Sequence, residues 1–206
     1  MIGLIDYDAG NIRSVEKALR HLGQKVVLTR DPQVLLKADK VILPGVGSFG
    51  HAMENLNRYG LVPVIRRITE QGTPLLGICL GLQLLFERSE ESPGVDGLGI
   101  LKGEILRFPS SEGLKIPHMG WNTLAFPRPG RLFEGIREES CVYFVHSYYL
   151  RAEQEEIVTA AADYGVKIHA SVEQGNVFAC QFHPEKSSET GLKILQNFAR
   201  LKKEGS

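Results

Sequence analysis

The chain has 206 residues, enough for one generous domain with a substantial buried core. Lysine plus arginine equals aspartate plus glutamate at 24 each, and no basic block stands out, which excludes the electrostatic footprint of a nucleic-acid binder. Three widely spaced cysteines, Cys79, Cys141 and Cys180, exclude a disulfide framework and paired zinc ligands and fit a reducing, cytoplasmic setting.

Ile2-Gly-Leu-Ile5 reads as a buried strand; with no basic region or long apolar stretch near it, no signal peptide or membrane span is expected. Asp8 or Asn11 is placed to cap the next helix, where Ile12, Val15, Ala18, Leu19 and Leu22 recur at helical spacing before Gly23. Residues 25–28 and 40–43 are the next strands, bracketing a polar turn with Pro32. A helical region covers 49–71, interrupted near Gly60 and Pro63, and the apolar run 74–78 is a further buried strand. A helix then starts at Leu80, turns polar through 87–92 and stops near Pro93. Strand alternating with helix implies a parallel sheet covered on both faces.

After Pro93 the texture changes. Runs at 99–101, 103–108, 122–126 and 141–149 are separated by turns containing proline and glycine. Residues 157–162 and 167–172 read as a hairpin through Asp163-Tyr-Gly165, and 176–180 is another strand. The last helix, from 189 to about 203, carries Leu192, Ile194, Leu195 and Phe198 inward. The expected architecture is α/β: a mixed, mostly parallel central sheet flanked by helices, with an antiparallel extension in the C-terminal half. One domain over 1–206 is expected, without linker or repeat.

The chemistry centres on Gly77-Ile-Cys-Leu-Gly-Leu-Gln83, at the junction of strand and helix. Cys79 has glycines two residues before and two after it, the layout of a nucleophile elbow. The sharp turn strains the nucleophile's backbone, and flanking residues without side chains let strand and helix approach closely. A helix N-terminus favours thiolate, and its free N–H groups can receive an oxyanion. Taken alone, Cys79 also reads as a small apolar residue in a turn.

The second half of the site is Gln181-Phe-His-Pro-Glu185, after the strand 176–180. Period-two alternation points His183 and Glu185 to the same side. There the imidazole can take the thiol proton while the carboxylate orients the ring and fixes its tautomer.

Gly-Ile-Cys-Leu-Gly-Leu-Gln together with His-Pro-Glu resembles the class I (triad) glutamine amidotransferases. Further motifs resemble the branch that supplies ammonia for imidazole glycerol phosphate synthesis. These are Ile5-Asp-Tyr-Asp-Ala-Gly-Asn-Ile12, Leu43-Pro-Gly-Val-Gly-Ser-Phe-Gly50, Pro117-His-Met-Gly-Trp-Asn122, Tyr143-Phe-Val-His-Ser-Tyr-Tyr149 and His183-Pro-Glu-Lys-Ser187. The resemblance implies a glutaminase with the triad Cys79, His183 and Glu185, needing no cofactor or metal. It also implies a heterodimer with a (β/α)8-barrel cyclase, which joins the ammonia to a phosphoribulosyl imidazole intermediate of histidine biosynthesis.

Gly45-Val-Gly-Ser-Phe-Gly50 matches a dinucleotide loop but follows the third strand rather than the first, and Glu70 falls inside a helix instead of at a strand end. It reads better as the second wall of the site. The resemblance makes Gly47 an oxyanion-hole member with the N–H of Leu80. Gln83 lies one helical turn after Cys79 on the same face, and the resemblance makes it a glutamine contact. Likewise it implies Glu91, at the expected helix end, for the substrate amino group and backbone at Ser147 and Tyr148 for its carboxylate. Asn11, Trp121, Asn122 and Lys186 follow family motifs beside the triad segments and are the expected partner surface. His51, His118, His146 and His169 lack metal-ligand spacing, and Cys141 and Cys180 read as packing. The rival readings are an amidotransferase serving another synthase, such as anthranilate or pyridoxal phosphate synthase, and a nucleotide-binding regulatory module using the glycine loop.

Overall fold

Short, wholly apolar runs make strands buried on both faces, and such runs form the centre of this molecule. In the computed structural model, which describes residues 1–110 and 114–203, β1 (Ile2–Ile5) leads into α1 (Ile12–His21), β2 (Val26–Thr29), α2 (Pro32–Leu36) and β3 (Lys40–Leu43). Two helices, α3 (Phe49–Arg58) and α4 (Leu61–Glu70), precede β4 (Leu75–Ile78) and α5 (Leu80–Leu84). Then come β5 (Arg88–Ser89), β6 (Gly103–Arg107), β7 (His118–Thr123), β8 (Cys141–His146) and β9 (Tyr148–Ala152). The hairpin of β10 (Val158–Asp163) and β11 (Lys167–Gln174), then β12 (Val177–Cys180) and α6 (Ser188–Arg200), completes the chain order.

The main sheet has seven strands in the order β10-β11-β12-β4-β3-β1-β2. From β12 to β2 every neighbour runs parallel, while β10 and β11 add the antiparallel extension. A three-stranded sheet β5-β6-β9 and a ribbon β7-β8 stand beside it. Alternation along the strands divides the core in two. Leu43, Leu75 and Ala179 meet Phe49, Leu56, Ile65 and Leu82, whereas Ile42, Leu76 and Phe178 meet Val15, Leu19, Ile194 and Phe198. Helices α3, α4 and α5 thus cover one face, and α1 and α6 the other. Among the described residues no helix is long and apolar enough to cross a membrane.

Several segments depart from their local pattern. The turn around Pro32 is instead α2, because Asp31 accepts from the Gln33 N–H at 2.8 Å and Pro32 opens the helix. Neither expected cap serves α1: Asn11 sits in the left-handed region at φ 64° without a capping bond, and Asp8 pairs with Arg30 at 2.7 Å and accepts from Tyr59. The helix after Cys79 stops at Leu84, since the carbonyls of Leu84, Leu85 and Phe86 accept from N–H groups of residues 98–101. Those bonds use 99–101 as a bend rather than a strand, and residues 87–92 become β5 and its turns. The run 122–126 is a strand only as far as Thr123, and 141–149 divides at Ser147 between two sheets. Cys141 is exposed at the open end of β8, so it is not a packing residue.

The crossing of α5 over the sheet leaves no room at Gly81, where a Cβ would strike the Leu43 carbonyl oxygen. Backbone cannot yield there as a side chain could. Gly81→Ala should therefore cost about 3 kcal/mol or more in urea unfolding. Gly23→Ala, with φ 74° and open space around it, should cost only about 1 kcal/mol of left-handed strain.

Candidate active site

The elbow forms because β4 ends against neighbours on both sides. Cys79 has φ 55° and ψ −108°, a strained conformation for a residue with a Cβ. Its N–H donates to the Cys180 carbonyl at 2.8 Å and its own carbonyl accepts from Leu82 at 3.1 Å. A Cβ at Gly77 would come within 2.7 Å of the Gly81 oxygen, so small residues on both sides are a steric requirement.

Parallel pairing of β12 with β4 sets Cys180 opposite Ile78, so the chain leaving β12 runs beside Cys79. His183 is fixed by its N–H to the Tyr143 carbonyl at 2.9 Å and by its own carbonyl, which accepts from Ser187 Oγ at 2.6 Å. Its Nδ1 lies 2.8 Å from Glu185 Oε1, and that oxygen also accepts from Asn11 Nδ2 at 2.7 Å. An ionised carboxylate only accepts, so Nδ1 carries hydrogen and Nε2 is left for proton exchange. Nε2 is buried without a hydrogen-bond partner. Burial alone would depress the His183 pKa, but the adjacent Cys79 and Glu185 outweigh it and lift the value from 6.5 to about 10.

Cys79, Val46, Gly47, Leu80, Gln83 and Tyr148 line a cavity of about 220 Å³. Three surface clefts are larger, at about 520, 560 and 350 Å³, but contain neither Cys79 nor His183. Glu91 also borders the cavity, from a turn after β5 rather than from a helix end; its carboxylate accepts from the Phe49 N–H at 2.7 Å, at the start of α3. The Leu80 N–H is engaged by the Gly45 carbonyl at 3.3 Å, and Gly47 lies exposed at φ 113°. Ser147, between β8 and β9, and Tyr148, which opens β9, are half-buried.

Of the expected surface residues, Trp121 is 55% exposed, beside Met119 at 62%, and Lys186 is exposed just after Glu185. Trp121 lies across the ribbon from Tyr143, whose carbonyl holds the His183 N–H. Asn11 instead turns inward to Glu185, and Asn122 donates to the Asp163 carbonyl at 2.8 Å.

Three features escape the sequence reading. Gln181 Nε2 donates to Cys79 Sγ at 3.7 Å from the segment after β12, where the strand has already ended at Cys180. Glu185 stands in a 3-10 turn over Pro184–Lys186, so His183 and Glu185 meet by that turn and not by strand alternation. Tyr7 is buried behind the glycine loop, donating to the Pro44 carbonyl at 2.7 Å; burial, then the nearby Cys79, keeps its hydroxyl from ionising. His118 and His146 form a buried pair, Nδ1 to Nε2 at 3.0 Å, with His146 Nδ1 donating to the Tyr148 carbonyl at 2.8 Å. No local pattern marks that pair.

A strained cysteine on an elbow, with a His–Glu pair delivered by the next parallel strand, defines a thiol amidohydrolase on an α/β sheet. The chain belongs to the glutamine amidotransferase class-I family, whose model matches residues 3–201. Among its relatives, a protein of Moorella thermoacetica is 54% identical over 200 residues, covering 97% of this chain and 94% of that one. One of Geobacillus kaustophilus is 53% identical over 205 residues, covering 98% and 97%. Both are named imidazole glycerol phosphate synthase subunit HisH. A crystal structure of a glutamine amidotransferase shares the fold, with TM-score 0.74, 24% identity, and coverage of 96% of this chain and 98% of that one.

Burial holds the His118 pKa down to about 4 and that of His146 down to about 3, against 6.5 for an exposed ring. The unfolded chain thus binds these protons at higher pH than the folded chain does. The stability their neutral forms contribute should be intact above pH 6.5 and lost as pH falls towards 3. Unfolding free energy followed against pH should drop more steeply for the native chain than for a variant carrying both His118→Gln and His146→Gln.

Proposed function

We propose that this chain is the glutaminase subunit of an imidazole glycerol phosphate synthase, a single domain over 1–206 that releases ammonia from glutamine. The observation that carries the reading is the strained Cys79 beside the unpartnered Nε2 of a histidine already oriented by Glu185. The Cys79 thiolate attacks the side-chain amide carbon, and His183 delivers its proton to the departing nitrogen. Ammonia leaves and a thioester remains. Water then attacks with His183 taking its proton, and cleavage of the C–S bond returns the Cys79 thiolate beside the reprotonated His183 and yields glutamate. Glu185 keeps Nδ1 occupied throughout, so proton traffic is confined to Nε2.

In this reading the cavity takes the glutamine: Gln83 contacts the substrate, Glu91 meets its amino group, and backbone at Ser147 and Tyr148 meets its carboxylate. Gly47 and Leu80 supply the oxyanion hole. The Leu80 N–H is spent on Gly45, so the loop rests in an unproductive form, and docking of the partner releases that donor. Futile hydrolysis is thereby suppressed when no acceptor for ammonia is present.

The partner is a (β/α)8-barrel cyclase bound as a heterodimer in the cytoplasm. It converts ammonia and a phosphoribulosyl imidazole substrate to imidazole glycerol phosphate and aminoimidazole carboxamide ribotide. Exposed Trp121 and Met119, with exposed Lys186 just after Glu185, support a docking face on the triad side, whereas Asn11 and Asn122 are engaged within the chain.

A complex carrying Cys79→Ala should make no product from glutamine but should still make it from ammonium salts, increasingly as pH rises. Product from neither nitrogen source would overturn the division of labour. His183→Ala should lower glutamate release by roughly 10²–10⁴-fold or more, and Glu185→Gln by less. Trp121→Ala should weaken association, read by titration calorimetry, while leaving the unfolding midpoint of the isolated chain unchanged.

A further inference from the structure

Gln181 is fully buried, and its amide bridges the reacting sulfur and the floor of the cavity. Its Nε2 donates to Cys79 Sγ at 3.7 Å, and its Oε1 accepts from Gln83 Nε2 at 3.0 Å. The same Gln83 nitrogen donates to the Tyr148 carbonyl at 3.1 Å. A backbone carbonyl can only accept, so Gln83 must turn its NH₂ towards Tyr148. The other hydrogen of that NH₂ then faces Gln181, and only the amide oxygen of Gln181 can receive it. Nothing remains for the sulfur but the N–H of Gln181. The direction of the whole chain is therefore dictated from Tyr148, whose carbonyl also takes the His146 Nδ1–H at 2.8 Å.

We propose that Gln181 is a further catalytic residue, whose N–H holds the Cys79 sulfur as an oriented thiolate; this rests on Cys79 being the glutaminase nucleophile. A thiolate accepts a hydrogen bond far more strongly than a thiol, so a fixed donor favours the charged form and confines it to one rotamer. The other groups around the sulfur are His183 with Glu185 behind it, the Tyr7 hydroxyl, buried Cys180, and Glu91 across the cavity. Among these only His183 can carry positive charge. Cys180 is pushed upward by burial first and then by the Glu185 and Cys79 charges, so it remains a thiol and offers no cation. Gln181 thus gives the thiolate a second support that does not itself titrate.

The test uses the complex with the cyclase and follows alkylation of the peptide containing Cys79 by iodoacetamide across pH, since exposed Cys141 also reacts. Gln181→Met keeps the length and removes the donor. Gln181→Glu keeps the acceptor for Gln83 and sets a carboxylate against the sulfur. Gln181→Met should raise the midpoint of the Cys79 profile by about one pH unit and lower kcat by roughly tenfold to a hundredfold, with KM little changed. Gln181→Glu should raise the midpoint further. Its near-identical size keeps the comparison valid if the methionine variant does not fold. An unmoved profile in both variants, with or without loss of activity, would reduce Gln181 to packing and overturn the proposal. A native complex without glutaminase activity would overturn the glutaminase reading as well, whereas native activity with unmoved profiles sinks only the role of Gln181.

Discussion

Everything at the candidate active site depends on the parallel pairing of β12 with β4. That ladder places Cys180 beside Ile78, and the next bond in line joins the Cys79 N–H to the Cys180 carbonyl. One strand thus leads into Cys79 and its neighbour into His183. A slip of register by one residue would exchange the two faces of β12 and carry the chain that leaves it, with Gln181, His183 and Glu185, out of line with Cys79. The buried faces of β4 and β12 prevent that slip. Packing of Leu76 and Phe178 against one helical layer, and of Leu75 and Ala179 against the other, is therefore a condition of the chemistry.

The polar groups at the strand ends lie in a low-dielectric setting, where an unmatched charge is costly and a matched one is strong. Glu185 is satisfied by His183 and Asn11 through one oxygen, and its other oxygen has no partner. Nε2 of His183 is likewise unpartnered. These two unfilled positions stand out against a site otherwise closely bonded, in which Gln83, Gln181, His146 and His118 each have a fixed role.

The wall opposite the triad is built differently. The glycine loop between Leu43 and Phe49 has few side chains to anchor it, and Gly45 packs so closely on Tyr7 that a Cβ there would strike the hydroxyl. Backbone that close to a nucleophile can change its hydrogen bonds with little side-chain rearrangement. The Leu80 N–H, bound to Gly45 at 3.3 Å, is a long bond of the kind a docking event can exchange. The β7–β8 ribbon links Trp121 through Tyr143 to the backbone of His183, so an exposed face and the triad share one short path.

The sequence by itself determined the central parallel strands and the elbow, and it marked His183 and Glu185 as the pair to stand near Cys79. Each is written in neighbouring residues: apolar runs of four for buried strands, glycines two positions either side of Cys79, and His183 and Glu185 two apart. Family membership was legible for the same reason, since its motifs are contiguous. Tertiary structure alone decided what depended on distant partners. The helix after Cys79 ended early because N–H groups of 98–101 took its carbonyls, and Asn11 abandoned a cap for a carboxylate 174 positions away. Glu91 became a partner of the α3 backbone, and His118 met His146 across a ribbon. A hydrogen bond is satisfied by geometry, whatever the separation along the chain, and local pattern carries no record of which distant group will arrive.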